Sequence, residues 1–199
     1  MQSNSRRNFM KSMLAVPVAT SGIASVFSPS DSLSGEFGHK FKLSLNVFSF
    51  NRMLRDGKID LFNVMDFCAE NNFDAIDPTG YYFPGYPNVP DDKYIAEFKR
   101  KAFLLGLDIS GTGIRNDFAN PDVNSRKADI KMIKEWIIAA EKLGIPNLRI
   151  FTGRSTHEGF TRDQVFEWMA KDIQECCDFG QKHGVIIALQ NHNEFLKTA

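Results

Sequence analysis

The chain is short of cysteine, of net charge and of long apolar runs, and each shortage removes a class of protein. Cys68, Cys176 and Cys177 are the three cysteines in 199 residues. They are too few and too unevenly spaced for a disulfide framework or a zinc cluster. Cys176 and Cys177 are neighbours on a predicted helix, where their side chains diverge by about 100° and a mutual disulfide would be strained. All three read as packing residues. Lys+Arg and Asp+Glu both number 24, so the formal net charge is zero. The basic footprint of a nucleic-acid binder is therefore missing, and no nucleic-acid partner is expected. Gly111 and Gly113 lack both the G-x-G-x-x-G spacing and the lysine of a P-loop, which excludes those phosphate cradles. What is present suits one globular domain with a sizeable core: 43% of residues are hydrophobic and 24% charged. Phenylalanine is abundant at 18 residues, and such rings either fill a core or line a pocket.

The N-terminus has the pattern of an address. Ser5-Arg6-Arg7-Asn8-Phe9-Met10-Lys11 precedes a mostly apolar, small-residue segment from Ser12 to Phe27. This resembles a twin-arginine export signal, with the phenylalanine and the lysine at the places such signals have them. Pro17 and Gly22 break the apolar part, which is too short and weak for a membrane-spanning helix. The expected layout is a signal over residues 1–28, a Ser/Gly-rich linker over 29–40 and one domain over 41–199. Such a signal implies an exported, periplasmic bacterial protein that meets the export machinery.

From Phe41 onward strand and helix patterns alternate. Lys42–Phe50 reads as a first strand, with Asn46, Ser49 and Asn51 near its end. Ile59–Ala69 reads as a helix with Leu61, Val64, Met65 and Cys68 on one face. Phe73–Asp77 is a second strand, followed by the aromatic loop Pro78–Pro90. That loop carries Tyr81, Tyr82, Phe83 and Tyr86, rings that either cover the mouth of the fold or stack on a ligand. A helix over Asp91–Gly106, capped by Asp91 or Asp92, leads to a third strand, Leu107–Gly113. Arg115, Asn116 and Asp117 follow in a loop. Asn124–Gly144 is a long helix, and Asn147–Gly153 a fourth strand. Arg149 lies inside that strand, where an unpaired charge is costly, so it points to a polar centre or an ion pair. His157 and Glu158 read as a solvated loop pair. The helix Thr161–Gly184 opens on Thr161, and His183 near its end complements the helix dipole.

Val185–Leu189 then reads as a fifth strand buried on both faces, ending in Gln190, Asn191, His192 and Asn193. Glu194–Ala199 begins another helix. Five strand-helix units at this spacing predict an α/β fold, the first five units of a partial (β/α)8 TIM barrel with a parallel sheet and right-handed crossovers. Ligands of such folds bind at the C-terminal strand ends.

Phe73-Asp74-Ala75-Ile76-Asp77, Gly106-Leu107-Asp108-Ile109-Ser110 and Gly184-Val185-Ile186-Ile187-Ala188-Leu189-Gln190-Asn191-His192 resemble the sugar phosphate isomerase/epimerase family of xylose isomerase-like TIM barrels. The resemblance covers Lys42–Ala199, five of the family's eight units, and so implies a truncated form of a longer protein. It further implies a divalent metal, Mn, Mg, Zn or Co, supporting proton transfer beside a carbonyl of a sugar or related polyol. Gln190 falls where the family has a glutamate ligand and proton shuttle. An amide oxygen coordinates a cation but cannot act as a general base. On this resemblance Gln190 is the metal ligand, His192 and Arg149 are catalytic, and Tyr81, Tyr82, Phe83, Arg115, Asn191 and His192 contact substrate. The rival expectation is a non-catalytic carbohydrate-binding barrel. A nucleic-acid-cleaving branch of the superfamily fits poorly with zero net charge, and homo-oligomerisation is left open.

Overall fold

Short polar side chains cap the four long helices at or within two residues of where the patterning predicts them to begin. In the computed structural model, which describes residues 41–192, 195 and 196, Asp60 and Asn63 close a reciprocal capping box at 2.8 and 2.9 Å. Thr161 and Gln164 do the same, while Asp91 and Asp122 accept the Tyr94 and Ser125 N–H groups. The export signal and linker expected before residue 41 lie outside the described residues, as does most of the helix expected over Glu194–Ala199. The structure described belongs to the second of two units, Lys42–Ala199.

The elements run β1 (Ser44–Asn46), a 3-10 turn (Val47–Phe50), α1 (Asn51–Arg55), α2 (Leu61–Glu70), β2 (Ala75–Asp77) and α3 (Asp92–Leu105). They continue with β3 (Asp108–Ile109), β4 (Thr112–Gly113), α4 (Val123–Leu143), β5 (Asn147–Ile150), α5 (Arg162–Lys182) and β6 (Ile186–Leu189). Every strand pairing is parallel, in the orders β1-β2-β3 and β4-β5-β6. β3 and β4 are consecutive pieces of one strand position, so five parallel positions alternate with helices, as the patterning predicts. This is an α/β fold, part of a (β/α)8 barrel.

Three expectations need correction. The first strand ends at Asn46, because the Asn46 side chain accepts the Phe48 N–H at 2.9 Å and turns the chain into a 3-10 turn. The third strand is broken by a bulge. Asp108 and Ile109 stand opposite Ala75 and Ile76, whereas Thr112 and Gly113 stand opposite Leu148 and Arg149. Alternation across Ser110-Gly111 therefore slips by one residue, as an inserted residue requires. The last strand is not buried on both faces. Ile186 is 68% and Leu189 42% exposed, because β6 pairs with β5 alone among the described residues.

The strands are polar on one face and apolar on the other. Leu45, Ile76, Leu148, Ile150 and Ile187 meet the helices in a core that includes Leu61, Val64, Met65, Ile133, Trp136 and Ile137. Cys68 and Cys176 belong to this core, where burial pushes their thiols up to about 11 and about 12; they are packing residues. Among the described residues no helix is long and apolar enough to cross a membrane.

Candidate functional site

The polar face of the sheet is organised by one ion pair. Arg149 on β5 reaches across the third strand position and donates both terminal nitrogens to Asp77 on β2, at 2.7 and 3.0 Å. Asp77 also accepts from Asn46 on β1 at 2.9 Å. The guanidinium passes over glycines: a Cβ on Gly113 would stand 3.2 Å from Arg149 Nη2, and one on Gly111 only 2.7 Å from Asn147 Oδ1. Small residues at the bulge thus open the lane that the long side chain occupies. Asn147 holds the bulge by donating to the Ser110 carbonyl at 2.8 Å.

Above this network, at the C-terminal strand ends, lies a cavity of about 600 Å³. Asn46 and Phe48 line it after β1, Thr79 and Tyr81 after β2, and Arg115 and Asn116 after β4. Phe151, Gly153 and Arg154 follow β5, and Gln190 and His192 follow β6. The rings of Phe48, Tyr81 and Phe151 and a majority of hydrogen-bonding groups converge, with no carboxylate among the described residues of the wall.

The loops after β4 and β5 are tied together. The Asn116 amide pairs with the Phe151 backbone like one more rung of a ladder, donating to its carbonyl at 2.6 Å and accepting its N–H at 2.8 Å. Asp117 accepts the Arg154 N–H at 3.3 Å, and Asp129 accepts the Asp117 N–H at 2.8 Å. Gly153 sits at φ 141° where a Cβ would come within 2.6 Å of the Ala119 nitrogen, so any side chain there would force the loops apart. The Phe151 ring thereby fixed meets His192 edge-on, 5.6 Å between centroids.

Of the residues expected from sequence, Tyr81, Arg115, Gln190 and His192 come together on the cavity. Gln190 is half-buried, its N–H on the Ile150 carbonyl at 3.0 Å. The Arg115 guanidinium lies 4.8 Å over the Tyr81 ring, and the Arg115 backbone N–H donates to the Tyr86 hydroxyl at 2.9 Å. The other expected residues stand elsewhere. Phe83 is buried in the core against Trp136 and Phe98. Tyr82 donates to Asn51 at 2.7 Å, and burial pushes its hydroxyl up to about 12. Asn191 is exposed and not on the cavity wall. Arg149 lies in the ion pair beneath the cavity. His157 and Glu158 are exposed, and His183 meets Glu141 at 2.8 Å. Phe48, Thr79, Phe151 and Arg154 carried no distinctive motif; their one sequence signal is that each lies within a few residues of a strand's C-terminal end.

A divalent cation asks for several oxygen ligands, carboxylates above all. The cavity wall instead offers neutral amides, an imidazole and two guanidinium groups, and among the described residues no three His, Cys, Asp or Glu side chains come together. The donor set does not fit a divalent metal held by the described residues alone.

Parallel strands alternating with helices, with a cavity at the C-terminal strand ends, define a TIM-barrel-type α/β fold. The chain belongs to the xylose isomerase-like TIM barrel family, whose model matches residues 65–198. No curated protein matches it. Among solved structures it is similar to D-psicose 3-epimerase with D-tagatose from Clostridium cellulolyticum H10, at 17% identity and TM-score 0.65 over 78% of this chain and 54% of that one. It is also similar to AsbF of Bacillus anthracis, a probable 3-DHS dehydratase involved in petrobactin synthesis, at 20% identity and TM-score 0.60 over 77% and 53%. A third is the IolI protein with a bound zinc atom, at 16% identity and TM-score 0.61 over 75% and 51%. The chain spans about half the length of these structures, and at such identities the likeness shows the fold.

Two outcomes follow for the polar scaffold. Asp77→Ala leaves a largely buried guanidinium without its counter-charge and should cost about 3 kcal/mol in chemical denaturation. Adding Arg149→Met should recover more than half of that loss; a single variant as stable as the parent contradicts the ion pair's structural role. Burial, and secondarily the Asp117 carboxylate, hold the Asp129 carboxyl above its ordinary range, while the Asp117 N–H opposes them. The native state therefore binds this proton more tightly than the unfolded chain. The resulting stability is complete below the unfolded value near 4 and is lost as pH rises through the folded one. Asp129→Asn does not ionise and still accepts the Asp117 N–H. It should be more stable than the parent at neutral pH, with the difference shrinking in acid; urea titrations across pH check this, and a variant less stable at neutral pH refutes it.

Proposed function

We propose that the chain forms the substrate-holding part of a sugar isomerase/epimerase-type barrel, with a small polyol in the cavity at the strand ends. The observation that carries this reading is the cavity's chemistry. Phe48, Tyr81 and Phe151 offer ring faces and edges to the C–H surface of a polyol. Asn46, Thr79 and Gln190 present the paired donors and acceptors that hydroxyl groups require. In an isomerisation or epimerisation a proton leaves the carbon beside a carbonyl, and a base must stand within hydrogen-bond reach of it. Gln190 cannot be that base. Imidazole is the side chain suited to proton exchange near neutrality, which gives the role to His192. A metal enters this reading only with anionic ligands that the described residues do not supply. The absence of a carboxylate from the described wall favours a second reading, a barrel that binds polyols without turning them over.

One experiment separates the two. The full chain is titrated calorimetrically with ketoses and then incubated with them in heavy water, with deuterium uptake beside the carbonyl followed by NMR. Binding that weakens roughly 3- to 10-fold in Gln190→Ala, together with uptake lost in His192→Ala, supports the enzyme. Binding without uptake supports the non-catalytic barrel, and no binding contradicts both.

The Arg6-Arg7 motif supports a further part of the reading, that the protein acts outside the cytoplasm. Arg6→Lys together with Arg7→Lys should then trap it in the cytosolic fraction; export unaffected by the double change refutes the assignment.

A further inference from the structure

Three arginines stand at or beneath the strand-end cavity, and they are not equivalent. The Arg149 charge is neutralised by the bidentate Asp77 pair. Arg115 and Arg154 both line the cavity, and among the described residues neither guanidinium is in an ion pair. Two carboxylates at these loops are turned to backbone N–H groups: Asp117 to those of Ala119 and Arg154, Asp129 to that of Asp117. Among the described residues the wall carries no Asp or Glu, in a chain whose Lys+Arg and Asp+Glu both number 24. A neutral protein thus sets two guanidinium groups on the described wall of one cavity.

Both arginines have a constrained origin. Arg115 is stacked on Tyr81 at 4.8 Å, and its backbone N–H is held by the Tyr86 hydroxyl. Arg154 is delivered by Gly153, whose missing Cβ lets the β5 loop lie against Ala119 and Asp117. A second, independent observation points to a ligand. Thr79 lines the same cavity at 3% exposure, and among the described residues its hydroxyl has no hydrogen-bond partner. A buried hydroxyl without a partner is costly unless something else satisfies it.

We propose that the ligand of this cavity is an anionic polyol, its hydroxyls met by Thr79, Asn46 and Gln190 and its carboxylate or phosphate by Arg115 and Arg154. Guanidinium groups suit either anion, because their fixed N–H forks match both geometries. This inference rests on the polyol-binding reading above and adds the charge of the ligand to it. The two arginines are exposed, so solvent and salt screen their attraction and the expected preference is modest.

Calorimetric titration of the full chain with fructose, a fructose phosphate ester and gluconate tests this. At low salt at least one anion should bind about tenfold more tightly than fructose, and the advantage should shrink as salt is raised. Arg115→Gln and Arg154→Gln should each lower the anion-to-neutral affinity ratio about threefold. Arg115→Lys, which keeps the charge, should retain part of the ratio. Lys131→Gln on the outer surface of α4 should leave it unchanged, and thermal melts compare the folding of every variant with the parent. The ranking of phosphate ester against gluconate identifies the anion. Fructose binding as tightly as both anions, or a ratio indifferent to the arginine substitutions, overturns the anion subsite and leaves polyol binding standing. No binding by any of the three overturns the polyol reading and the subsite with it.

Discussion

The bidentate pair between Asp77 and Arg149 is the constraint around which the polar face of this sheet is arranged. A guanidinium buried on that face is tolerable only if a carboxylate meets it and nothing blocks the way. Two of the chain's small residues, Gly111 and Gly113, clear the path. The bulge at Ser110-Gly111 and the Asn147 amide bond to Ser110 belong to the same solution. Asn46 completes it from β1, so three strands are joined by side chains as well as by their backbone ladders.

This arrangement separates structural charge from charge available at the cavity. Arg149 lies at a position that suggests chemistry, yet its hydrogen bonds are already taken by Asp77. The positive charge facing the cavity belongs to Arg115 and Arg154, in loops knitted by Asn116, Asp117 and Gly153. The cavity surface is thus built from contacts between two loops standing on an ion pair between two strands.

The four long helices, α2 to α5, are legible in the sequence because their signals are local and redundant: apolar spacing sets their faces, and Asp91 and Thr161 mark two of their starts. The short α1 has no such signal. The third strand was legible only as a whole. Ser110, Gly111, Thr112 and Gly113 are all small, so nothing in their pattern reveals that alternation slips by a residue. The burial of β6 was misread because Val185–Leu189 is apolar throughout, while its exposure depends on which strands flank it, a non-local fact. Gln190, His192, Tyr81 and Arg115 were recognisable from their polar or aromatic character at strand ends. Phe83 was not separable from Tyr81 by type, since a tight 3-10 turn sends one ring to the cavity and the other to the core. Phe151 and Arg154 depend on contacts with residues more than thirty positions away, which no local pattern encodes.

The central claim is that the cavity at the C-terminal strand ends is where this chain holds its ligand. Backbone amide NMR of the full chain, titrated with gluconate and with fructose, tests it most directly. The account predicts shifts concentrated on Arg115, Gly153, Arg154, Gln190 and His192, saturating with added ligand. Shifts gathered instead on the groove between α4 and α5, at Ile130, Lys131 and Glu175, or no saturable shifts at all, would contradict it.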